Sequence, residues 1–198
     1  MSDLFKNLPR EIMAPVKGER MVFRITAEDT NGTYTEFDHF IAPGQGFSPT
    51  HMHETQTQKW EVVSGTAAYL VEGVEKTAKT GDRVVIPPGK FHIDPYNQTG
   101  SDELHLRRTI SPEGGSQLFF TTWFVLACAD SFDLKHPGYQ FEPLPIAVLV
   151  HMLPAKSYTT DLPVWMQKIA IPVGALVGWL LGKRARYPEL EQKYFATK

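Results

Sequence analysis

The chain contains a single cysteine, Cys128, so no disulfide bond can form within it. Its 198 residues also lack any long block of like charge, because 20 Lys and Arg are interspersed with 22 Asp and Glu for a net charge of −2. A mixed surface of this kind lacks the basic patch that nucleic-acid binding requires. The N-terminal residues show no basic start followed by an apolar core, as a secretory signal would. These absences predict a cytoplasmic protein that does not bind nucleic acid.

Long apolar runs are also missing. The apolar stretch from Ile169 to Gly182 has 14 residues without charge, whereas a membrane-spanning helix needs about 20. Within it Gly174, Gly178 and Gly182 recur every fourth residue, which would let another helix approach closely along one face. We expect this stretch to pack in the core or at an oligomer contact, with contact to a membrane surface as the alternative.

The first half of the chain has the period-two pattern of β-strands. Met21, Phe23 and Ile25 lie on one face and Arg20, Val22 and Arg24 on the other, and Phe37, His39 and Ile41 share a face in the next such segment. Turn signals rich in Gly, Pro and Asn follow at intervals of 8–12 residues up to Pro112. This rhythm predicts a β-sandwich or β-barrel.

The pattern becomes helical after Pro112. Apolar residues recur at helical spacing from Ser116, and two further apolar segments follow at 145–153 and 163–184, separated by the turn-rich residues 155–163. Residues 135–143, which include His136, are predicted to be a loop. We therefore divide the chain into an irregular N-terminal segment (1–18), a β-barrel (19–112) and a helical C-terminal extension (113–198), which packs on the barrel or at an oligomer interface.

Three histidines have the spacing of a metal site. His51 and His53 lie two residues apart, so on an extended segment both side chains point to the same side. His92 follows 39 residues after His53, in the sequence GDRVVIPPGKFH, where Gly81, Pro87, Gly89 and His92 are spaced as G-x5-P-x-G-x2-H. Imidazole is a common ligand of zinc, iron, copper and nickel.

These two motifs resemble those of the cupin family. Over roughly residues 35–110 the His-x-His pair, the closing Gly65 and the glycine-proline frame before His92 are similar to the two cupin motifs. The resemblance implies a jelly-roll β-barrel that holds a divalent metal on two His and an acid from the first motif and one His from the second. It also implies a small-molecule ligand and, together with the apolar extension, a homodimer.

The chain departs from the family pattern at the acid. The family's glutamate falls seven positions before the closing glycine, where this chain has Gln58. Gln58 shares a strand face with Trp60 and Val62, which supports the alignment. The predicted ligands are thus His51, His53, His92 and Gln58 around one divalent transition metal (Zn, Ni, Fe or Cu). With no carboxylate among them, the metal charge is uncompensated, which favours an anionic substrate.

Candidates for acid-base roles follow from strand parity. Asp94 and Tyr96 are predicted to share a face with His92, which faces either the site or solvent or a dimer partner, and Tyr96 stands where the family motif ends in Asn. His39 is predicted either to line the pocket in the barrel interior or to be a hydrogen-bonded core histidine. His105 and Arg107 share a face of a later strand. Either Arg107 binds the carboxylate of a ligand there, or this face is exposed to solvent. His136 and His151 are interpreted as structural.

Two functions are compatible with these features. The first is a metal-dependent enzyme, of the dioxygenase, isomerase or lyase type, that acts on a small anionic or hydroxylated organic molecule. The alternative is a non-catalytic module that binds or senses a small ligand.

Overall fold

The computed structural model describes residues 3–98, 101–129 and 143–195. The predicted loop 135–142 and His136 lie outside these ranges, whereas Pro143 begins a helix. Within the described residues the chain forms eleven strands and four α-helices. The strands are β1 (Glu11–Ala14), β2 (Glu19–Ile25), β3 (Thr35–Ile41), β4 (His51–His53), β5 (Thr57–Ser64), β6 (Thr66–Val71), β7 (Val74–Lys79), β8 (Arg83–Ile86), β9 (His92–Tyr96), β10 (Leu104–Ser111) and β11 (Ser157–Thr159). The helices are α1 (Ser116–Cys128), α2 (Pro143–Met152), α3 (Val164–Leu180) and α4 (Pro188–Phe195).

The strands form two antiparallel sheets in a jelly-roll arrangement, which confirms the predicted mainly-β fold with a helical extension. One sheet has the order β1-β2-β3-β10-β5-β8 and the other β11-β4-β9-β6-β7. Neighbours in a sheet are mostly distant in sequence, so the chain crosses repeatedly between the two layers. Each sheet therefore places residues from both predicted motifs side by side.

The space between the sheets is apolar at one end and polar at the other. Ile41, Trp60 and Leu106 of the first sheet pack with Ala67 and Tyr69 of the second to form the apolar end. These residues alternate with outward polar ones because the pleat sends successive side chains to opposite faces. The predicted faces of β3 and β5 are confirmed, since Phe37, His39 and Ile41, and likewise Gln58, Trp60 and Val62, are buried.

The N-terminal segment is less irregular than predicted. Residues 11–14 form strand β1, which pairs antiparallel with β2 and buries Ile12 and Ala14 against Phe23. Residues 11–14 are too few to show a period-two pattern in the sequence, because only Ile12 and Ala14 reach the core. Pro9, Pro15 and Gly18 mark its ends rather than a continuous loop.

The C-terminal extension is also not purely helical. Residues 157–159, in the stretch predicted to be a turn-rich connection, form strand β11 at the edge of the second sheet and pair with β4. The helices α1, α2 and α3 otherwise confirm the predicted helical segments. Gln56 secures the junction, since its side-chain amide donates to the carbonyl oxygens of Pro112 and Glu113, at 3.0 and 2.7 Å, immediately before α1.

Helix α3 lies on the surface and contacts its neighbour through small residues. A side-chain carbon added at Gly174 would lie 3.1 Å from Cβ of Ala147, and one added at Gly178 only 2.6 Å from Cγ2 of Val148. The closely approached helix is thus α2 of the same chain. The opposite side of α3 is exposed in the single chain, so only the glycine face of this stretch packs inside the fold, and the oligomer contact stays a prediction. Among the described helices, none combines the length and apolar character that crossing a membrane requires.

The close contact between α2 and α3 can be tested at the two glycines. Gly178→Ala should destabilise the fold by about 1–3 kcal/mol, because the added methyl meets Val148 and the backbone of Leu144. In Gly174→Ala, the matched control, the milder contact is opposed by a helix-propensity gain of up to about 1 kcal/mol, so its stability should stay near wild type. Urea unfolding measures both. Equal stabilities of the two variants would contradict the packing.

Candidate metal centre

The three histidines of the two motifs converge between the sheets. His51 on β4 and His92 on β9 form a direct cross-strand pair with ring centroids 4.5 Å apart. His53 lies on the same side of β4, with its ring centroid 5.0 Å from that of His51. One nitrogen from each ring lies within 4.8 Å of the others. The predicted three-histidine cluster is therefore formed by the fold.

Each imidazole is oriented by a hydrogen bond at its outer nitrogen. Nδ1 of His51 donates to the carbonyl oxygen of Pro49, and Nδ1 of His92 to that of Lys90, both at 2.8 Å. Nδ1 of His53 lies 2.7 Å from Oγ of Ser157, its cross-strand partner on β11. With Nδ1 protonated, the lone pair of each ring lies on Nε2, which in His53 is 2.7 Å from the amide nitrogen of Gln58. This is the tautomer that metal-binding histidines adopt.

The surroundings keep two of these imidazoles neutral. Burial lowers the pKa of His53 well below its usual value, and the nearby His51 and His92 lower it further. Burial likewise lowers the pKa of His92, with His51 as the next contribution. A neutral ring can donate its lone pair to a metal, whereas an imidazolium ion cannot.

Gln58 occupies the position of the family's acid, but its amide is turned away from metal ligation. Its Oε1 accepts a hydrogen bond of 2.7 Å from Nη2 of Arg108. Its Nε2 lies 2.7 Å from Nε2 of His53 and 3.3 Å from Nε2 of His92. Because a guanidinium only donates, this contact fixes which amide atom is oxygen. The predicted oxygen ligand therefore points at Arg108, and an N–H donor faces the cluster.

Arg108 is the main residue of the site that the sequence prediction missed. Its side chain is 1% exposed and projects from β10 between Leu106 and Ile110. Besides Gln58, Nη2 contacts Oδ1 of Asp94 at 2.8 Å. The signal was present in the sequence, since Arg108 interrupts the apolar alternation Leu104, Leu106, Ile110. The neighbouring His105 and Arg107 lie on the outer face, 3.0 and 3.6 Å from Asp38, so they do not clamp a ligand in the barrel.

Asp94 reaches the cluster as predicted. Its Oδ1 lies 3.9 Å from Nε2 of His92 as well as against Arg108. Burial raises the pKa of Asp94, but Arg108 and, to a smaller extent, His51, His92 and His53 together lower it more, and the net effect is a strong lowering. The carboxyl is thus ionised and paired, which makes it a weak proton acceptor.

Tyr96 does not share the face of His92, contrary to the prediction. The pairing of β9 with β6 shifts by one residue between Ile93, opposite Leu70, and Tyr96, opposite Ala68. This bulge includes Pro95 and reverses the side-chain alternation after Asp94. The hydroxyl of Tyr96 donates to Oε1 of Glu75 at 3.1 Å on the outer side, so Tyr96 does not reach the histidines.

A chain of buried charged groups continues from Arg108 to β2. Nδ1 of His39 lies 3.4 Å from Nη1 of Arg108, and Nε2 of His39 lies 3.0 Å from Oε2 of Glu19. Lys17 pairs with the other oxygen of Glu19 at 2.9 Å. His39 lines the interior as predicted, but both of its ring nitrogens are engaged. Burial lowers its pKa, which Glu19 only partly offsets. His39 therefore supports Arg108 and does not contact the histidine cluster directly.

These polar groups line a cavity of about 170 Å³. His51, His53, Gln58, Asp94 and Arg108 line one part of it. The C-terminal extension lines the other part with apolar side chains of α1 and α2. The cavity therefore lies between the barrel and its extension.

Comparison with known proteins agrees with this architecture. Residues 38–102 match the family model of the cupin domain, whereas no curated protein matches the chain. The segment includes the three histidines, Gln58 and Asp94. Residues 38–102 thus match a cupin domain, and the chain has a cupin-type jelly-roll fold with a helical C-terminal extension.

Three solved structures illustrate the similarity. A sugar phosphate isomerase of the cupin superfamily from Silicibacter pomeroyi is 16% identical, with 50% of this chain and 62% of that one covered and a TM-score of 0.42. A predicted oxalate decarboxylase from Thermotoga maritima is 18% identical, with coverages of 54% and 95% and a TM-score of 0.45. KdgF from Halomonas sp. is 23% identical, with coverages of 48% and 79% and a TM-score of 0.39.

The buried charge chain predicts a pH dependence of stability. Burial raises the pKa of Glu19, but Lys17 and His39 lower it to about 2. A folded-state pKa below the unfolded one gives stability that is present above the unfolded pKa, near 4.5, and lost as the pH falls towards 2. Between pH 6 and pH 3, wild type should therefore lose about 2 kcal/mol more than Glu19→Gln.

Urea unfolding of chelator-treated protein across this pH range measures the difference. Glu103→Gln, at an exposed glutamate, serves as the matched control and should follow wild type. Parallel curves for wild type and Glu19→Gln would show that the carboxylate of Glu19 does not gain stability from its partners.

Proposed function

We propose that His51, His53 and His92 bind one divalent transition metal. The observation that carries this proposal is the convergence of three Nε2 atoms while each Nδ1 is held by a separate partner. Three neutral nitrogen donors suit Zn, Ni, Fe or Cu better than Mg or Ca, which prefer oxygen ligands. Gln58 is proposed to lie beside the ion as a hydrogen-bond donor rather than as a ligand.

The charges around the cluster favour an anionic ligand. The two histidines with lowered pKa are neutral, Asp94 is balanced by Arg108, and Glu19 is balanced by Lys17. The charge of a metal ion would then be left without a compensating carboxylate. The amide N–H groups of Gln58 face the same space and would donate to an oxygen of the bound anion, while Arg108 keeps the amide in this orientation.

We propose that the protein is a metal-dependent enzyme acting on a small anionic or hydroxylated organic molecule. A bound transition metal would supply Lewis-acid chemistry or, as iron, redox chemistry. Of the dioxygenase, isomerase and lyase types, the last two need a protein group that moves a proton. Asp94 and His39 are both engaged with partners, so chemistry that needs no protein base is the better supported. The same observation supports the second candidate, a module that binds its ligand without catalysis.

Metal analysis tests the proposal directly. Protein purified without chelator, or reconstituted with each metal, should contain close to one equivalent of Zn, Ni, Fe or Cu. Chelation should remove the metal and lower the melting temperature, because the ion binds only the folded state. Less than about a tenth of an equivalent after reconstitution would refute the metal site.

Two substitutions identify the groups around the ion. Ser157→Ala should weaken metal binding by about 10–100-fold through loss of the partner of His53, whereas Ser111→Ala, outside the cavity, should not. Gln58→Glu should strengthen binding, because one carboxylate oxygen can keep the contact with Arg108 while the other faces the histidines. Unchanged affinity in Gln58→Glu would show that position 58 does not face the ion.

We also propose that the protein forms a homodimer through α3. The exposed side of this helix spans an arc of roughly 200° at 100° per residue. The arc carries no charged side chain, and its members are Trp165, Met166, Ile169, Val173, Leu176, Val177, Trp179, Leu180 and, just after the helix, Leu181. These side chains are 37–78% exposed, so together they present on the order of 1,000 Å² of apolar surface. A stable interface buries about 800 Å² per partner.

The charges beside this face favour a second copy over an anionic membrane. Lys168 pairs with Glu54 at 2.9 Å, and Arg186 with Glu191 at 2.8 Å. Arg184 also pairs with Glu189. These basic groups are neutralised by acids of the same chain, so they add little attraction to anionic lipids.

Light scattering tests the dimer. Wild type should have twice the chain mass of 22.3 kDa, and the double variant Leu176→Lys/Leu180→Lys should be monomeric, since it would bury two charges in the interface. Val74→Lys, at an exposed apolar residue of β7, is the control and should remain dimeric. A monomeric wild type would refute the dimer, and co-sedimentation of that monomer with lipid vesicles would assign the face to a membrane surface.

A further inference from the structure

The cavity beside the histidines has an apolar part that the metal site does not require. Large apolar side chains from the C-terminal extension line it, and six of these are Phe119, Phe120 and Trp123 of α1, Ile146 and Val150 of α2, and Leu153. All lie outside residues 38–102, the segment that matches the cupin domain. This part of the cavity is therefore specific to the extension of this chain.

The polar and apolar parts are continuous. Phe120 packs against Phe37 with ring centroids 5.6 Å apart, and its ring centroid lies 5.9 Å from Cζ of Arg108. The ring centroid of Phe119 lies 5.7 Å from that of Phe120 and 5.2 Å from that of Trp123. Five of the six residues remain partly exposed, although they face the interior between helix and barrel. A ligand held at the histidines would thus extend along aromatic rings.

The size of the cavity limits the ligand. One water molecule needs about 10–15 Å³ on this measure, so 170 Å³ holds roughly ten to fifteen waters or a similar number of ligand atoms. Protein interiors are close-packed, and an unfilled apolar space of this size lowers stability. A space of this kind with a polar, cation-binding end is typical of a ligand site.

We propose that the site binds monoanions of about eight to ten carbon atoms with an apolar body, such as medium-chain or aryl-substituted carboxylates. The anionic group lies at the histidines and Gln58, and the apolar body lies against α1 and α2. This inference rests on the proposed function for the anionic end alone. The apolar end is expected to recognise its ligand whether or not the metal is present.

Calorimetry with straight-chain carboxylates from butanoate to dodecanoate tests this inference. On zinc-loaded protein, each added methylene should tighten binding by about fourfold, because about 0.8 kcal/mol accompanies each buried CH₂. The increase in affinity with chain length should stop near eight to ten carbons, when the ligand fills the cavity. Octanedioate, the control ligand, should bind at least about tenfold more weakly than octanoate, since its second carboxylate would enter the apolar end.

Substitutions locate the apolar body. Val150→Phe should fill part of the cavity, so that the affinity stops increasing at a chain about two to four carbons shorter than in wild type. Val177→Phe, a control on the exposed side of α3, should leave the series unchanged. If Val150→Phe does not fold, Ile146→Phe replaces it, and the wild-type series remains a complete test.

The outcomes distinguish this inference from the metal site. Affinity that is independent of chain length, or equal binding of octanoate and octanedioate, would overturn the inference even if zinc binds. A chain-length dependence that persists in protein unable to bind any metal would support the apolar site while refuting the proposed metal function.

Discussion

The buried guanidinium of Arg108 determines how the polar groups between the sheets are arranged. It is 1% exposed and contacts Gln58, Asp94 and His39 at once. A buried charge is tolerated only where other groups compensate it. Asp94 supplies the opposite charge, and the rings of Phe37 and Phe120 lie 5.5 and 5.9 Å from Cζ. Lysine could not replace these contacts, because it lacks the planar fork of donors.

The orientation of Gln58 is the most important consequence of this arrangement. In a cupin motif with glutamate at this position, the acid would contribute a negative oxygen to the metal. Here Arg108 takes the amide oxygen, so the cluster meets an N–H donor instead. The substitution removes a negative charge from the cluster and puts an N–H donor in its place. The altered residue and the buried arginine are therefore best understood together.

The extension completes the site as well as covering the barrel. Ser157 on β11 holds the outer nitrogen of His53, and α1 and α2 line the cavity. The junction is tight, since Gly114 leaves no room for a side chain beside Ala155. Although the cupin segment contains all three histidines, it lacks one of their partners and half of the cavity. A boundary at residue 112 thus describes the change of secondary structure but not the functional unit.

The amino-acid sequence by itself determined a β-sandwich or β-barrel, the inward faces of β3 and β5 and the three histidines, because period-two alternation and short motifs depend only on local order; the jelly-roll form was implied by the resemblance to the cupin family. The tertiary structure decided the rest. The bulge at Pro95 turns Tyr96 outward. Strand β11 pairs with the second sheet although its stretch has the composition of a turn. The hydrogen bond from Arg108 fixes the orientation of the Gln58 amide. Each of these depends on a partner more than 20 residues away, so local patterns carry no information about it. The exposure of one face of α3 was likewise decided by the tertiary structure, since an apolar helix is buried or exposed according to what packs against it.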